Sequence, residues 1–573
     1  MALISTKKDP CSFSQPQLIS TAKLDLVWDV NFAEKKLSGS VELDLRVHDE
    51  AVTYLVLDTS NLDVSSVCDA STGEHLEFHF SEPHKALGTA LNIKLPSGTQ
   101  NRGAELKIRI DYETASGASA LQWLQPSQTA GKEHPYLFSQ CQAIHARSMV
   151  PCQDTPGVKA PYQAKVSVPR ELVALMSAER LGEEPCLADP SKKTYLFQQP
   201  VPIPSYLIAI VVGLLESRKI GPRSRVWSEK EYVEQGAVEF TETEEMLQAA
   251  EGLLGPYIWG QYDLLILPPS FPYGGMENPC LTFVTATLLA GDRSLANVVA
   301  HEIAHSWTGN LVTNCNWQHF WLNEGFTVFV ERKISGRMHG NKQRHFEAIG
   351  GWKALQNSVD RFGASHAYTH LIPDLKDVDP DDAFSSVPYE KGSTLLFYLE
   401  TLIGSEDEFE AFLRSYIDKF KYKSITTQDW KDFLYAYFQD KQSVFDAVDW
   451  DAWFFQPGLA PVKPDYDTTL SRECTDLCQR WCRATPDDLS SFSADDLKTL
   501  TSKQVVEVLS QLLLEPPLSK DHVLAMEACY GFGNSGNAEI VFRWLRLCIR
   551  AGHWDIVDEA LAFAVKWGRL KFT

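Results

Sequence analysis

A short histidine motif and a more distant glutamate constrain the fold of this 573-residue chain more than any other feature. Residues 301–305 read H-E-x-x-H, and side chains four residues apart lie on one face of an α-helix, so both imidazoles can bind one metal ion. Catalytic zinc sites have three protein ligands and an open fourth position. Glu324, which follows His305 after eighteen intervening residues, supplies the third ligand if two antiparallel helices meet at the metal. The sequence therefore predicts one Zn²⁺ ion bound by His301, His305 and Glu324.

The residue between the two histidines has a chemical role in this arrangement. Glu302 projects beside them and is the predicted general base, since its carboxylate can take a proton from a water at the metal. A chance H-E-x-x-H is expected only roughly 0.03 times in a chain of this composition. Ser294 is predicted to cap the start of the helix.

The periodicity of apolar residues predicts a multi-domain α+β protein. Alternating runs such as Ser40 to Val47 predict an N-terminal β-sheet domain over residues 1–214. Helical periodicity, interrupted by the strand-like run Tyr262 to Leu267, predicts a mainly helical catalytic domain over residues 215–456. Proline-rich residues 457–464 predict a linker. Residues 465–573 are predicted to form a solenoid-like helical domain, with helices at Leu497 to Leu514, Asp521 to Tyr530, Ala538 to Arg550 and Asp555 to Lys566.

A glycine-rich turn upstream of the motif makes the chain resemble a known family. The turn reads G-G-M-E-N, follows the strand-like run, and places Glu277 twenty-four residues before His301. Together with H-E-x-x-H and Glu324, it resembles the M1-type zinc aminopeptidases. The resemblance implies a thermolysin-like catalytic domain, one zinc ion per chain, and a carboxylate at Glu277 that binds the free α-amine of a peptide. It also implies substrate binding by the turn itself, namely Tyr273, Gly274, Gly275, Met276 and Glu277.

Three further stretches resemble the branch of that family that also hydrolyses the lipid epoxide leukotriene A4 to leukotriene B4. They are Leu137 to His145, Pro380 to Gly392 and Arg569 to Lys571. The resemblance implies that Tyr389 is catalytic and stabilises an oxyanion, and that Asp381 orients water during epoxide opening. The other substrate-binding residues that it implies are Gln140, Gln142, Ala143 and, for the substrate carboxylate, Arg569 and Lys571.

The chain departs from the pattern of that branch at two places. Phe384 stands where the vertebrate members of the branch have a tyrosine beside the substrate, and a phenylalanine supplies no hydroxyl, so we expect product geometry and self-inactivation to be affected. The helical domain is also expected to be truncated, because the sequence ends at Thr573 whereas the resemblance implies a few dozen further residues.

Composition restricts the partners and the compartment. The formal charge of −22 repels phosphate backbones, so nucleic acid is excluded as an expected partner. No apolar run reaches the roughly 18 residues of a spanning helix, so no stable membrane insertion is expected. The twelve cysteines are scattered and predict a reducing, cytoplasmic setting. We expect a monomer that acts on a small-molecule lipid epoxide and on short peptides.

Three alternatives remain open from the sequence. The first is an exopeptidase like aminopeptidase B, without physiological epoxide hydrolase activity. The second is an inactive, truncated isoform, and the third is a non-catalytic scaffold that binds partners through its helical domain. Trp317, Phe320 and Trp321 are candidates either for the wall of the active-site pocket or for the core.

Overall fold

The N-terminal third of the chain forms strands because its apolar residues alternate with polar ones, so that one face of each strand is buried. The computed structural model describes residues 2–572 and begins with a short helix, α1 (Ala2–Ser5). Fourteen strands follow: β1 (Ile19–Asn31), β2 (Lys36–Val47), β3 (Tyr54–Thr59), β4 (Asp63–Asp69), β5 (Phe78–Phe80), β6 (Thr89–Lys94), β7 (Glu105–Glu113), β8 (Leu121–Leu124), β9 (Tyr136–Ser139), β10 (Lys159–Pro169), β11 (Val173–Met176), β12 (Glu179–Pro185), β13 (Lys192–Pro204) and β14 (Ile210–Gly213).

These strands form three sheets. The largest has seven strands in the order β12-β13-β10-β1-β2-β7-β4, and β1 and β10 are its parallel neighbours. A four-stranded sheet has the order β11-β14-β9-β8, and a three-stranded sheet has the order β3-β6-β5. The segment that follows β9 leads from the four-stranded sheet towards the predicted active site.

The middle of the chain is mixed. A five-stranded sheet in the order β15-β16-β17-β19-β18 ends beside the helix that carries the histidines. The elements are β15 (Glu216–Lys219), β16 (Arg225–Ser228), α2 (Lys230–Glu239), α3 (Thr243–Leu254), β17 (Asp263–Leu267), β18 (Gly275–Met276), β19 (Leu281–Thr285), α4 (Asn297–His305), β20 (Val312–Asn314), α5 (Trp321–His339), α6 (Asn341–Phe362), α7 (Val387–Ile403), α8 (Glu406–Phe420), β21 (Lys423–Ile425), α9 (Thr427–Tyr437), α10 (Gln442–Asp446) and α11 (Trp450–Phe455).

The last part of the chain is helical and has a small core of its own. Its helices are α12 (Thr469–Arg483), α13 (Ser502–Leu512), α14 (Lys520–Tyr530), α15 (Ala538–Arg550) and α16 (Val557–Lys566). Trp481, Leu509 and Trp544 are buried in this core, which Phe346 of α6 joins to the rest of the molecule. The predicted fold class is therefore confirmed. Within residues 2–572, none of the helices has the length and apolarity that a membrane crossing requires.

The starts of α4 and α13 differ from the sequence prediction. The predicted cap at Ser294 is wrong, because α4 begins at Asn297 with Ala296 in the capping position. The Ser294 hydroxyl instead hydrogen-bonds to Asp292 and accepts a hydrogen bond from Asn537 Nδ2 at 2.8 Å. Helix α13 begins at Ser502 rather than Leu497, because Thr501 and a glutamine three residues later form a reciprocal capping box.

A buried arginine fixes the segment that leads from β9 to the active site. Arg147 is 2% exposed and donates hydrogen bonds to the carbonyl oxygens of Leu87 and Cys11, at 2.7 and 2.9 Å. Its Nε donates to Asp154 Oδ2 at 2.9 Å, and Asp58 Oδ1 lies 4.0 Å from Nη1. The guanidinium therefore pairs with buried carboxylates and also hydrogen-bonds to the backbones of two separate chain segments.

We predict that Arg147→Met strongly destabilises the protein. The substitution leaves the carboxylates of Asp154 and Asp58 buried without their cation, which costs about 3–5 kcal/mol of unfolding free energy. Urea unfolding followed by circular dichroism measures this loss. The control is Lys94→Met, which removes an exposed partner of Glu77 and should leave the unfolding midpoint unchanged; equal effects of the two substitutions would contradict the prediction.

Candidate active site

The three predicted metal ligands converge on one point. His301 Nε2 and His305 Nε2 lie 3.2 Å apart, and Glu324 Oε2 lies 3.5 Å from the first and 3.2 Å from the second. A tetrahedral zinc ion with bonds of 2.0–2.1 Å separates its ligand atoms by about 3.3 Å. Glu324 is 2% exposed, and among the described residues no donor forms a hydrogen bond with its Oε2. The donor atoms and their spacing therefore fit zinc.

Hydrogen bonds orient both imidazoles towards this point. His301 Nδ1 lies 3.0 Å from Glu331 Oε2, and His305 Nδ1 lies 2.9 Å from the carbonyl oxygen of Thr308. Both acceptors draw the ring proton to Nδ1, which leaves the Nε2 lone pairs free for a metal. Sequence reasoning missed Glu331, although it lies seven residues after Glu324 on the same helix and so two turns away on the same face.

Charge keeps the third ligand ionised. Burial alone would raise the pKa of Glu324, but the positive charge that His305 and His301 carry when protonated outweighs burial and lowers that pKa to about 2. The carboxylate is thus the form that binds a cation.

The close packing of two helices brings the glutamate to the histidines. Helix α5, which carries Glu324, packs against both α4 and α7. At the α5–α7 contact, a Cβ on Gly325 would lie 2.8 Å from the Cα of Gly392, a distance that only glycine permits. The same contact sets Tyr389, in the first turn of α7, beside the site: its ring is 6.1 Å from the His301 ring with an angle of 19° between their planes.

A cavity of about 360 Å³ opens over the metal ligands. It brings together all the predicted catalytic and metal-binding residues, the whole glycine-rich turn, and Asp381. Trp317 and Phe320 belong to its wall, whereas Trp321 packs against Trp430 in the core. The predicted residues that line the cavity are Gln140, Gln142, Ala143, Tyr273, Gly274, Gly275, Met276, Glu277, His301, Glu302, His305, Glu324, Asp381 and Tyr389.

The glycine-rich turn is held against the general base that the sequence predicts. Gly275 pairs with Val284 of β19, and a Cβ on Gly275 would lie 2.3 Å from Glu302 Oε1, so a larger residue would displace that carboxylate. Glu277 is 4% exposed, and its Oε1 lies 3.5 Å from Gln142 Nε2. Burial raises the pKa of both carboxyl groups, and that of Glu302 reaches about 8.

The predicted carboxylate-binding pair lies outside the cavity lining. Arg569 is packed against the turn, since a Cβ on Gly274 would lie 3.0 Å from its Nη2. Its Nη1 is 3.2 Å from Thr287 Oγ1 and 3.5 Å from Glu539 Oε1. Lys571 Nζ is 2.9 Å from the same Glu539 oxygen. The buried glutamate, which sequence reasoning missed, thus holds both cations next to the cavity.

Comparison with known proteins agrees with this site. Residues 20–207 match the model of the peptidase M1 N-terminal domain, residues 238–453 match the peptidase family M1 domain, and residues 500–573 match the leukotriene A4 hydrolase C-terminal domain. The chain therefore belongs to peptidase family M1. It is a zinc-dependent hydrolase, and the predicted family, enzyme class and cofactor are confirmed.

Relatives place it more narrowly within that family. Leukotriene A-4 hydrolase of Xenopus laevis is 56% identical over 565 residues, which cover 99% of this chain and 92% of the relative. Leucine aminopeptidase 2 of Yarrowia lipolytica is 43% identical, with coverage of 99% and 88%. A solved structure of yeast LTA4 hydrolase with bestatin has 39% identity, a TM-score of 0.93, and coverage of 99% and 91%.

We predict that Glu324→Ala and His305→Ala each abolish tight zinc binding. Either substitution removes one of three ligands, and metal content measured by mass spectrometry should fall from one zinc per chain to near zero. The matched control is His339→Ala, an exposed histidine at the far end of α5, which should keep its zinc. Full zinc content in Glu324→Ala would assign the third ligand elsewhere.

Proposed function

We propose that this chain hydrolyses the lipid epoxide leukotriene A4 to leukotriene B4 and also removes N-terminal residues from short peptides, at one zinc centre. The observation that carries the proposal is that a single cavity is lined by the three metal ligands, by Glu277 and by Asp381. Glu277 is suited to a peptide amine, and Asp381 is suited to a water for epoxide opening. The similarity to leukotriene A4 hydrolases over nearly the whole chain supports both assignments.

In peptide cleavage, the buried carboxylate of Glu277 binds the α-ammonium group, with Gln142 beside it. This pairing places the first peptide bond at the metal ligands and confines cleavage to N-termini. When bound, zinc supplies Lewis acidity and lowers the pKa of water. Glu302 takes the proton from the attacking water and passes it to the leaving amine. The Tyr389 hydroxyl donates a hydrogen bond to the developing oxyanion.

In epoxide hydrolysis, the same cavity binds an extended fatty-acid chain. Arg569 and Lys571 lie next to the cavity beside the glycine-rich turn, and their positive charges attract the substrate carboxylate to this end of it. Asp381 orients a water that adds to a carbon of the conjugated triene while the epoxide C–O bond breaks. The proton that the water loses balances the proton that the epoxide oxygen gains, so the net reaction is addition of one water. Phe384 packs between the rings of Tyr273 and Tyr389, with centroids 6.2 and 6.1 Å away, and contributes shape but no hydroxyl.

We propose that the protein is cytoplasmic and that it is active as a monomer. All twelve cysteines are free, which suits a reducing compartment. The candidate site is built entirely from one chain.

The deciding experiment uses purified, zinc-loaded protein with two substrates. An arginyl tripeptide tests the peptidase, with and without a chelator, and leukotriene A4 with chromatographic product analysis tests the epoxide hydrolase. We expect chelator-sensitive turnover of both. Peptide turnover without leukotriene B4 would favour the exopeptidase like aminopeptidase B, and no chelator-sensitive turnover of either would leave an inactive isoform or a scaffold.

We predict that Tyr389→Phe lowers kcat for the tripeptide by about 10²–10³-fold with little change in KM. The lost hydroxyl contributes only when the oxyanion develops, so the ground-state complex is unaffected. Epoxide opening, in which no tetrahedral oxyanion forms, should lose much less. Equal losses in both reactions would remove the peptide-specific role of Tyr389.

We predict that Glu277→Gln lowers kcat/KM for the tripeptide by roughly 10- to 100-fold, the effect of losing a charged hydrogen bond. The comparison substrate is an arginyl tripeptide with an acetylated α-amine, which wild-type protein should cleave poorly because its α-nitrogen no longer carries a positive charge for Glu277 to bind. Zinc content should stay at one per chain. If Glu277→Gln cleaves the free-amine peptide as well as wild type, the amine is bound elsewhere.

A further inference from the structure

Among the described residues, one side chain hydrogen-bonds to the carboxylate that we propose orients water for epoxide opening, and it lies on the other side of the cavity rim. Asp381 Oδ2 lies 2.8 Å from His145 Nε2, and His145 Nδ1 lies 2.8 Å from Ser119 Oγ. The two ends of this chain of hydrogen bonds are 262 residues apart in sequence, on the N-terminal β domain and on the loop before α7. Of the three residues, only Asp381 is among those that line the cavity.

The histidine is fixed by its own backbone. The His145 carbonyl oxygen accepts a hydrogen bond from Ser148 Oγ at 2.8 Å, and the same hydroxyl oxygen accepts one from the backbone amide of Ala120 at 2.9 Å. Ser148 thereby joins the chain that carries the histidine to the loop that carries Ser119. Arg147, two residues beyond His145, anchors the segment in the buried network described above.

The three residues have complementary hydrogen-bonding roles. A carboxylate can only accept hydrogen bonds, so the proton between His145 and Asp381 lies on Nε2. In the neutral imidazole, Nδ1 is then an acceptor and takes the hydrogen bond of the Ser119 hydroxyl. One arrangement therefore satisfies both ring nitrogens and directs an N–H at Asp381.

Without the hydrogen bond from His145, few interactions would fix the direction of the Asp381 carboxylate. The Asp381 side chain is 44% exposed, and it belongs to a single short turn of 3₁₀ helix, Pro380–Ala383. Its neighbours Asp379 and Asp382 are also acidic and repel it. The hydrogen bond from His145 is therefore the interaction that selects one direction for the carboxylate among those open to an exposed aspartate.

We propose that His145, held by Ser119, is a positioning residue that orients the Asp381 carboxylate towards the cavity and so determines where water adds to the epoxide. This inference rests on the proposed function, in which Asp381 directs that water. It assigns the N-terminal β domain a part in epoxide hydrolysis that peptide cleavage does not share, because Glu277, Glu302 and Tyr389 have no contact with His145 among the described hydrogen bonds.

The test compares four variants on leukotriene A4 and on the arginyl tripeptide. His145→Leu removes the donor, and the yield of leukotriene B4 relative to the products of spontaneous hydrolysis should fall about tenfold, the effect of losing one hydrogen bond to a charged group. His145→Gln can place an amide N–H near the position of Nε2 and should recover most of that yield. Ser119→Ala lets the His145 ring rotate, and its yield of leukotriene B4 should lie between those of His145→Leu and His145→Gln. Asp381→Asn is the reference for loss of the carboxylate.

Two readouts separate positioning from a structural defect. The tripeptide kcat/KM and the zinc content should be unchanged in His145→Leu, and KM for the epoxide should stay the same, since the substrate carboxylate is bound elsewhere. The double variant His145→Leu/Asp381→Asn should yield no less leukotriene B4 than Asp381→Asn alone, because the histidine acts only through the aspartate.

The outcomes distinguish this inference from the proposed function. If Asp381→Asn impairs leukotriene B4 formation but His145→Leu does not, the inference is wrong and the proposed function stands. If His145→Leu impairs both reactions equally, or adds to the loss in Asp381→Asn, His145 acts on the structure in general and the inference is also wrong. If Asp381→Asn forms leukotriene B4 normally, the assignment of Asp381 is itself wrong.

Discussion

The structure depends on the burial of an ionised glutamate between two histidines. A carboxylate buried as deeply as Glu324 costs free energy when it has no positive partner. It is stable there because His301 and His305 face it and, in the zinc-bound form that we propose, because the metal ion neutralises it. The helices that carry these residues must therefore pack closely, and the glycine contact between α5 and α7 makes this possible. Because the same contact sets Tyr389 beside the predicted ligands, metal binding and the oxyanion stabilisation that we propose for Tyr389 share one packing constraint.

The cavity over the metal is assembled from separate parts of the fold. Helices α4 and α5 provide the ligands, the β18 turn provides Glu277, and the segment after β9 provides Gln140, Gln142 and Ala143. Two buried polar interactions lie behind the cavity: Arg147 anchors the β9 segment, and Glu539 pairs with the predicted carboxylate-binding residues Arg569 and Lys571. The cavity thus combines groups suited to the two substrates that we propose.

Much of the site could be predicted because its residues act through local spacing. Two histidines four residues apart on a helix predict a metal site, and a G-G-M-E-N turn after a strand indicates the family, whatever the rest of the chain does. Residues whose role comes only from a distant partner gave no such signal. His145 lay in a segment identified by resemblance, but its contact with Asp381 bridges 236 residues. The predicted cap of α4 was wrong because the Ser294 hydroxyl hydrogen-bonds to the nearby Asp292 and to Asn537 from another domain.

The sequence by itself determined the family and the order of a β domain, a catalytic domain and a helical domain, and it predicted the zinc ligands and the general base. These follow from side-chain type and from periodicities of two and 3.6 residues, which are local properties of the chain. The tertiary structure alone decided that Arg569 and Lys571 stand behind the glycine-rich turn on a shared glutamate, and that a histidine of the β domain holds Asp381. Both arrangements depend on long-range packing, because the residues that meet are far apart in the sequence and no local pattern connects them.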